Sequence, residues 1–153
     1  VIQRKTTIFL FFGIVGVVGC YFLFSKSLGN YVFLLAIAIG CMSTAVLNLN
    51  NMRDRIQDAK VQKNTLAVVL GAKKVKKYHS VLILTALVSA LMYLVASQAK
   101  PLYYFALIAF IPLLINMVTV FKNDDPAALD PELKKIALST FVFALLLFVT
   151  SFF

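Results

Sequence analysis

The stretch YVFLLAIAIGCMSTAVLNLNNMRDRIQDAKVQK, Tyr31–Lys63, decides the fold. Its first part extends an uncharged run from Ser27 to Met52, which is long enough to cross a hydrocarbon core as a helix. Its second part gathers charges and carboxamides just where that span must leave the lipid. Four further uncharged runs have the same length class: Thr6–Ser25, Ser80–Ala99, Pro101–Phe121 and Ile136–Phe153. Backbone polar groups in lipid must be satisfied within the segment, so each run is expected to be a helix. The chain is therefore read as an all-α membrane protein of five transmembrane helices, with spans near 7–25, 31–50, 80–98, 101–121 and 136–153 and an extramembrane motif segment at 51–79.

Composition agrees: 61% of the 153 residues are hydrophobic and 14% charged, well under the quarter usual for soluble domains. The net charge of +9 does not point to nucleic acid, because its placement is one-sided. With the N-terminus in the cytoplasm, 13 of the 15 Lys and Arg residues fall on cytoplasmic segments, including Arg4, Lys5, Lys73, Lys74, Lys76 and Lys77. Only Lys26 and Lys100 lie opposite. This is a positive-inside pattern, with attraction to anionic lipid as a secondary effect. Cys20 and Cys41 both fall within spans and read as packing residues rather than as a disulfide or metal pair. The chain starts at Val1 without a signal-peptide pattern, so it is expected to continue from a longer polypeptide.

Small residues mark helix contacts. Gly13, Gly16 and Gly19 in the first span, and Ala36, Gly40 and Thr44 in the second, form stripes that admit close helix approach. Pro112 predicts a kink in the fourth span, with Asn116 bonded to a neighbouring helix or facing a cavity. In the last loop, Asp130–Pro131–Glu132 reads as a helix N-cap, and Asp125–Pro126 as a second such start.

The chemistry concentrates at the end of the second span. If that helix simply continues, Asn50, Asp54, Asp58 and Asn51 fall at about 0°, 40°, 80° and 100° around it. Two carboxylates at this spacing repel unless a cation compensates. Arg53 and Arg55 are candidates, in which case the cluster is an ordinary ion-pair network. Clustered polar groups at a membrane edge instead favour a site. A donor set of carboxylates and carboxamides, without His or Cys, suits Mg2+ with a phosphate-bearing substrate. Lys60 and Lys63 are placed to meet excess phosphate charge.

The segment NNMRDRIQDAKVQKNTLAVVLG, Asn50–Gly71, resembles the second Asp-rich motif of the UbiA-type intramembrane prenyltransferases. It is most similar to the branch that prenylates 1,4-dihydroxy-2-naphthoate in menaquinone biosynthesis, which reads NNxRDxxxDxxxGKxTLxVxxG. Asn50, Asn51, Arg53, Asp54, Asp58, Lys63, Thr65, Leu66, Val68 and Gly71 match; Gln62 stands where that branch has Gly. The resemblance implies the second half of a nine-helix bundle, the five spans being family helices five to nine. It implies transfer of a polyprenyl chain from its diphosphate to the aromatic ring. Asp54 and Asp58 would be catalytic and would bind Mg2+ with Asn50 and Asn51, while Arg53, Lys60 and Lys63 would bind the diphosphate. It also implies a bacterial plasma (inner) membrane location with the motif in the cytoplasm. No first Asp-rich motif occurs within these residues, so this chain alone is expected to be inactive and to need the N-terminal half of the same enzyme. The competing class is half of a membrane transporter or a non-catalytic assembly protein. Within the enzyme class, relatives acting on 4-hydroxybenzoate or a porphyrin are the nearest confusion.

Overall fold

The computed structural model describes residues 6–123 and 125–153; Arg4 and Lys5 of the charge pattern, and Asp124, lie outside the described residues. Every element among the described residues is helical, and five helices are long and apolar enough to span a membrane. The first span, α1 (Thr6–Ser25), is π-helical over Phe9–Gly19 and α-helical over Cys20–Ser25. Next come α2 (Val32–Arg53) and the short α3 (Arg55–Lys60). The long α4 (Leu66–Ala96) is broken internally at Gly71. The span α5 (Pro101–Lys122) is wound as a 3-10 helix over Pro101–Ala109 and as an α-helix from Phe110. A 3-10 turn (Pro126–Ala128) then leads into α6 (Leu129–Thr150).

The central helix is α2. It packs against α4, α1 and α6, while α5 closes the bundle against α4 and α6. Small side chains make these approaches possible: Ala36, Ala38, Ala45, Ala86, Ala90 and Ala106 are all fully buried. Without a water-driven force between spans, such close backbone packing is a main source of association in lipid. Larger rings fill the space between α5 and α6, where Phe110 and Phe143 meet edge to face with centroids 5.2 Å apart. Leu10, Phe11, Val15, Leu23 and Phe24 of α1 are exposed apolar side chains, as a span in lipid allows.

The glycine stripe of α1 is only partly used. A Cβ on Gly13 would stand 2.6 Å from the Ala36 carbonyl oxygen and 3.2 Å from the Gly40 Cα, so only glycine fits that crossing. Gly16 and Gly19 are not required as glycine by α2: a Cβ on Gly16 would meet its own helix's Phe11 oxygen, and one on Gly19 nothing within 4 Å. The reason is the winding. Bonding of the i→i+5 type widens the turn, so residues three apart no longer share a face.

Pro112 is the third residue of the α-helical part of α5, where the 3-10 winding ends, so its missing N–H falls at the change of bonding pattern. One further expectation changes: Asp130 is not an N-cap. The cap position of α6 is Ala128, without a side-chain bond, and Asp130 lies inside the first turn. There its charge still favours the helix dipole, while its carboxylate is available to another partner.

Both ends of α4 matter for the site. Thr65 caps its start, accepting a hydrogen bond from Val68 N–H at 3.4 Å. Gly71 has φ 74° and ψ 170°, a conformation open essentially to glycine alone. The break lets the short apolar piece before it lie apart from the spanning helix, whose first turns carry exposed Lys73, Lys74 and Lys77.

A candidate diphosphate site at the end of the second span

The helix does not run straight through the motif. It stops at Arg53, and Asp54 adopts φ −84° and ψ 0° before α3 begins at Arg55. The hydrogen bond from Asp58 N–H to the Asp54 carbonyl, at 2.8 Å, keeps the two acids one turn apart. Their side chains nevertheless join different groups, so the single narrow face expected of an uninterrupted helix is divided in two.

The first group centres on Arg53. Its Nε donates to Asp54 Oδ1 at 2.8 Å, and its Nη2 donates to Asp54 Oδ2 at 3.3 Å and to Asn50 Oδ1 at 2.8 Å. Its Nη1 donates to Asp130 Oδ1 at 2.8 Å, across 77 residues of sequence. Asn50 Nδ2 closes the ring with a bond to Asp54 Oδ2 at 3.4 Å. These side chains are partly open, 33% for Arg53, 35% for Asp54 and 62% for Asp130, so the pairs contribute only ~0–1 kcal/mol to stability.

The second group is more enclosed. The Asp58 side chain is 7% exposed; its Oδ1 accepts from Lys63 Nζ at 2.9 Å. Its Oδ2 is buried with no hydrogen-bond partner among the described residues. A buried anionic oxygen left open costs roughly 1–3 kcal/mol or more, which a hard cation would offset. The open Asp58 oxygen therefore fits one ligand of a divalent ion, which Asp54 and Asn50 would join only by giving up their bonds to Arg53; no cluster of three or more His, Cys, Asp or Glu side chains forms among the described residues. Asn51 is half-buried at the same helix end and forms no hydrogen bond through its side chain among the described residues. Lys60 is exposed, and no described residue pairs with it. Arg55 faces a different cavity, of about 250 Å³, with Lys76, Asn123 and Asp125.

Lys63 is aimed by the end of α3. Lys63 N–H bonds the Asp58 carbonyl at 2.8 Å and Gln62 N–H bonds the Ala59 carbonyl at 3.2 Å, the two bonds of a Schellman cap. That motif needs a left-handed residue, and Gln62 supplies it at φ 53°. The glycine position of the motif thus keeps its backbone shape here at a conformational cost. Gln62→Gly is expected to raise stability by about 0.5–1 kcal/mol without moving Lys63. Thermal unfolding in detergent micelles measures it, and an unchanged or lower midpoint would contradict the assignment.

An apolar cavity of about 420 Å³ adjoins the Arg53 group. Ile8 and Phe12 of α1, Ser43, Val46, Leu47 and Asn50 of α2, and Leu133, Ala137 and Thr140 of α6 line it. Asn50 belongs to both, one carboxamide on the polar ring and on the cavity wall.

Asn116 does not open onto these spaces. It is fully buried: its Oδ1 accepts from His79 Nε2 at 3.0 Å, and its Nδ2 donates to Glu132 Oε2 at 2.7 Å. Glu132, itself buried, also pairs with Lys135. This chain of bonds joins α4, α5 and α6 and provides the partner that an intramembrane Asn requires.

Comparison with known proteins assigns the fold family. Residues 1–146 match the family model described as the UbiA prenyltransferase family. The chain belongs to that family. Among UbiA relatives, the 1,4-dihydroxy-2-naphthoate octaprenyltransferase of Haemophilus influenzae is 38% identical over 132 residues, covering 86% of this chain and 43% of that protein. The protein of the same name from Escherichia coli is 35% identical over 130 residues, 84% of this chain and 42% of the relative. That from Mycobacterium leprae is 31% identical over 94 residues, covering 61% and 32%. The chain thus spans less than half the length of the curated UbiA relatives it matches. No solved structure matches.

The residues of the Asp-rich segment can be read from the sequence, but the pairing of Asp130 with Arg53 cannot. The only sequence signal was an acid on the same membrane side as Arg53; local spacing favoured a cap, and only packing of α6 beside α2 brings the two together.

Proposed function

We propose that this chain is the C-terminal half of a magnesium-dependent polyprenyltransferase that prenylates 1,4-dihydroxy-2-naphthoate in menaquinone biosynthesis. The observation that carries this reading is the position of Asn50, where a ring of anion- and cation-binding groups meets an apolar cavity suited to an isoprenoid tail. The names of the relatives supply the acceptor and the reaction class. The basic residues around the motif support a cytoplasmic location at a bacterial inner membrane.

Asp58, Asp54 and Asn50 would hold Mg2+, with Asn51 nearby. When bound, the ion supplies Lewis-acid neutralisation of the charge that develops on departing pyrophosphate. Arg53 and Lys63 add charge-assisted hydrogen bonds to phosphate oxygens, exchanging part of their present bonding to Asp54 and Asp58. Lys60, exposed beside them, contributes long-range attraction to the incoming diphosphate. The apolar walls of α1, α2 and α6 exclude water from the allylic carbon, so that the ring carbon rather than water receives the prenyl group. The ring position attacked loses its carboxylate as CO2.

Only one Asp-rich motif is present in these residues, so the isolated chain should not turn over. The experiment is product formation from 1,4-dihydroxy-2-naphthoate and a polyprenyl diphosphate in membrane vesicles with and without Mg2+. Product is expected from an enzyme carrying both halves and not from this chain alone. Substantial product from the chain alone would refute the division of labour; none from the complete enzyme would refute the function.

A further inference from the structure

We propose that Asp130 is a positioning residue for the diphosphate site, acting through Arg53; the inference rests on the prenyltransferase reading above. The guanidinium is a rigid planar fork. One edge lies along Asp54 and Asn50, its neighbours on the same helix end, and Nη1 alone reaches across to Asp130 at 2.8 Å. Holding both edges fixes the plane of the fork. The guanidinium is shared between Asp130 and Asp54, so its charge is not spent on Asp54 alone.

The turn that carries Asp130 is anchored as such a role requires. Two residues on, Glu132 is buried and bonded to Asn116, which is bonded in turn to His79. The inward side of the first turn of α6 is thereby tied to α4 and α5. Its outward acid is presented to the motif from a fixed backbone. Sequence-local capping does not explain Asp130, because it makes no cap bond.

A kinetic double-mutant cycle tests this in membrane vesicles bearing the complete enzyme. Asp130→Asn is expected to raise KM for the prenyl diphosphate about tenfold, with kcat within about twofold and KM for the aromatic acceptor unchanged. Arg53→Gln should raise the same KM at least as far. In that background, Asp130→Asn should add less than about twofold, because its route of action is gone. Asp130→Glu, which keeps the charge, should recover most of the loss. A full tenfold effect in the Arg53→Gln background would overturn the inference. So would an equal rise in both KM values with a lowered thermal midpoint, which would mark Asp130 as merely structural. In either case wild-type turnover would leave the prenyltransferase function standing. No transfer by the unaltered enzyme would instead remove that function, and the role of Asp130 with it.

Discussion

Asp58→Asn is expected to cut prenyl transfer by the complete enzyme roughly 10²–10³-fold while leaving the thermal midpoint unchanged or higher. The two effects diverge for one physical reason. Asp58 Oδ2 is buried and bonds to nothing described, so the carboxylate destabilises the resting fold. Removing its charge relieves that cost. Lys63 loses a partner but is 52% exposed and can be solvated where it stands. Catalysis loses an anionic oxygen for which the amide is a poor substitute toward Mg2+. Turnover as a function of Mg2+ concentration, with thermal unfolding of the same sample, measures both. Near-normal turnover would take Asp58 out of the site. A large fall in midpoint would make it a structural acid instead. Stability given up at a functional position is a common trade.

Asn116→Leu should have the largest effect on folding, about 3 kcal/mol or more. The two side chains have the same number of non-hydrogen atoms, so no cavity forms; the loss is of polar partners, with some overpacking because leucine is the bulkier. The change takes the Asn116 partner from the His79 ring and from Glu132 Oε2, both fully or nearly fully buried. Breaking one member of a buried charged network is costly because the others stay desolvated. Glu132→Gln, which keeps an acceptor for Asn116 while removing the charge, should cost about 1 kcal/mol. Unfolding in detergent micelles reads both variants. A midpoint for Asn116→Leu within a degree of wild type would show that the network contributes little, and equal losses for the two would show that hydrogen bonding is not what distinguishes them.

The two variants separate what the molecule needs in order to fold from what it needs in order to act. Asn116 lies where α4, α5 and α6 meet, and its removal should loosen the bundle. Asp58 lies at the membrane edge on a short helix with few packing duties, and its removal should spare the bundle.

The five spans, their apolar character and the position of the charged segment were determined by sequence alone. Lipid imposes this directly: a run of uncharged residues must become a helix, and basic residues must collect outside it. Gly71 was legible as a position of the motif the segment resembles, and its positive φ explains why glycine is needed there. The residues of the Asp-rich segment were equally visible, because their spacing is a property of one chain segment. Tertiary structure decided how they are shared out. The turn at Asp54 and the cap after α3 share the acids out, Asp54 to Arg53 and the buried Asp58 to Lys63, a division that spacing along one helix does not give. The π-helical winding of α1 chose Gly13 alone from three glycines. Packing of α6 beside α2 made Asp130 a partner of Arg53 rather than a cap. Each of these depends on contacts between segments far apart in the chain, and the free energy that selects them resides in those contacts rather than in local spacing.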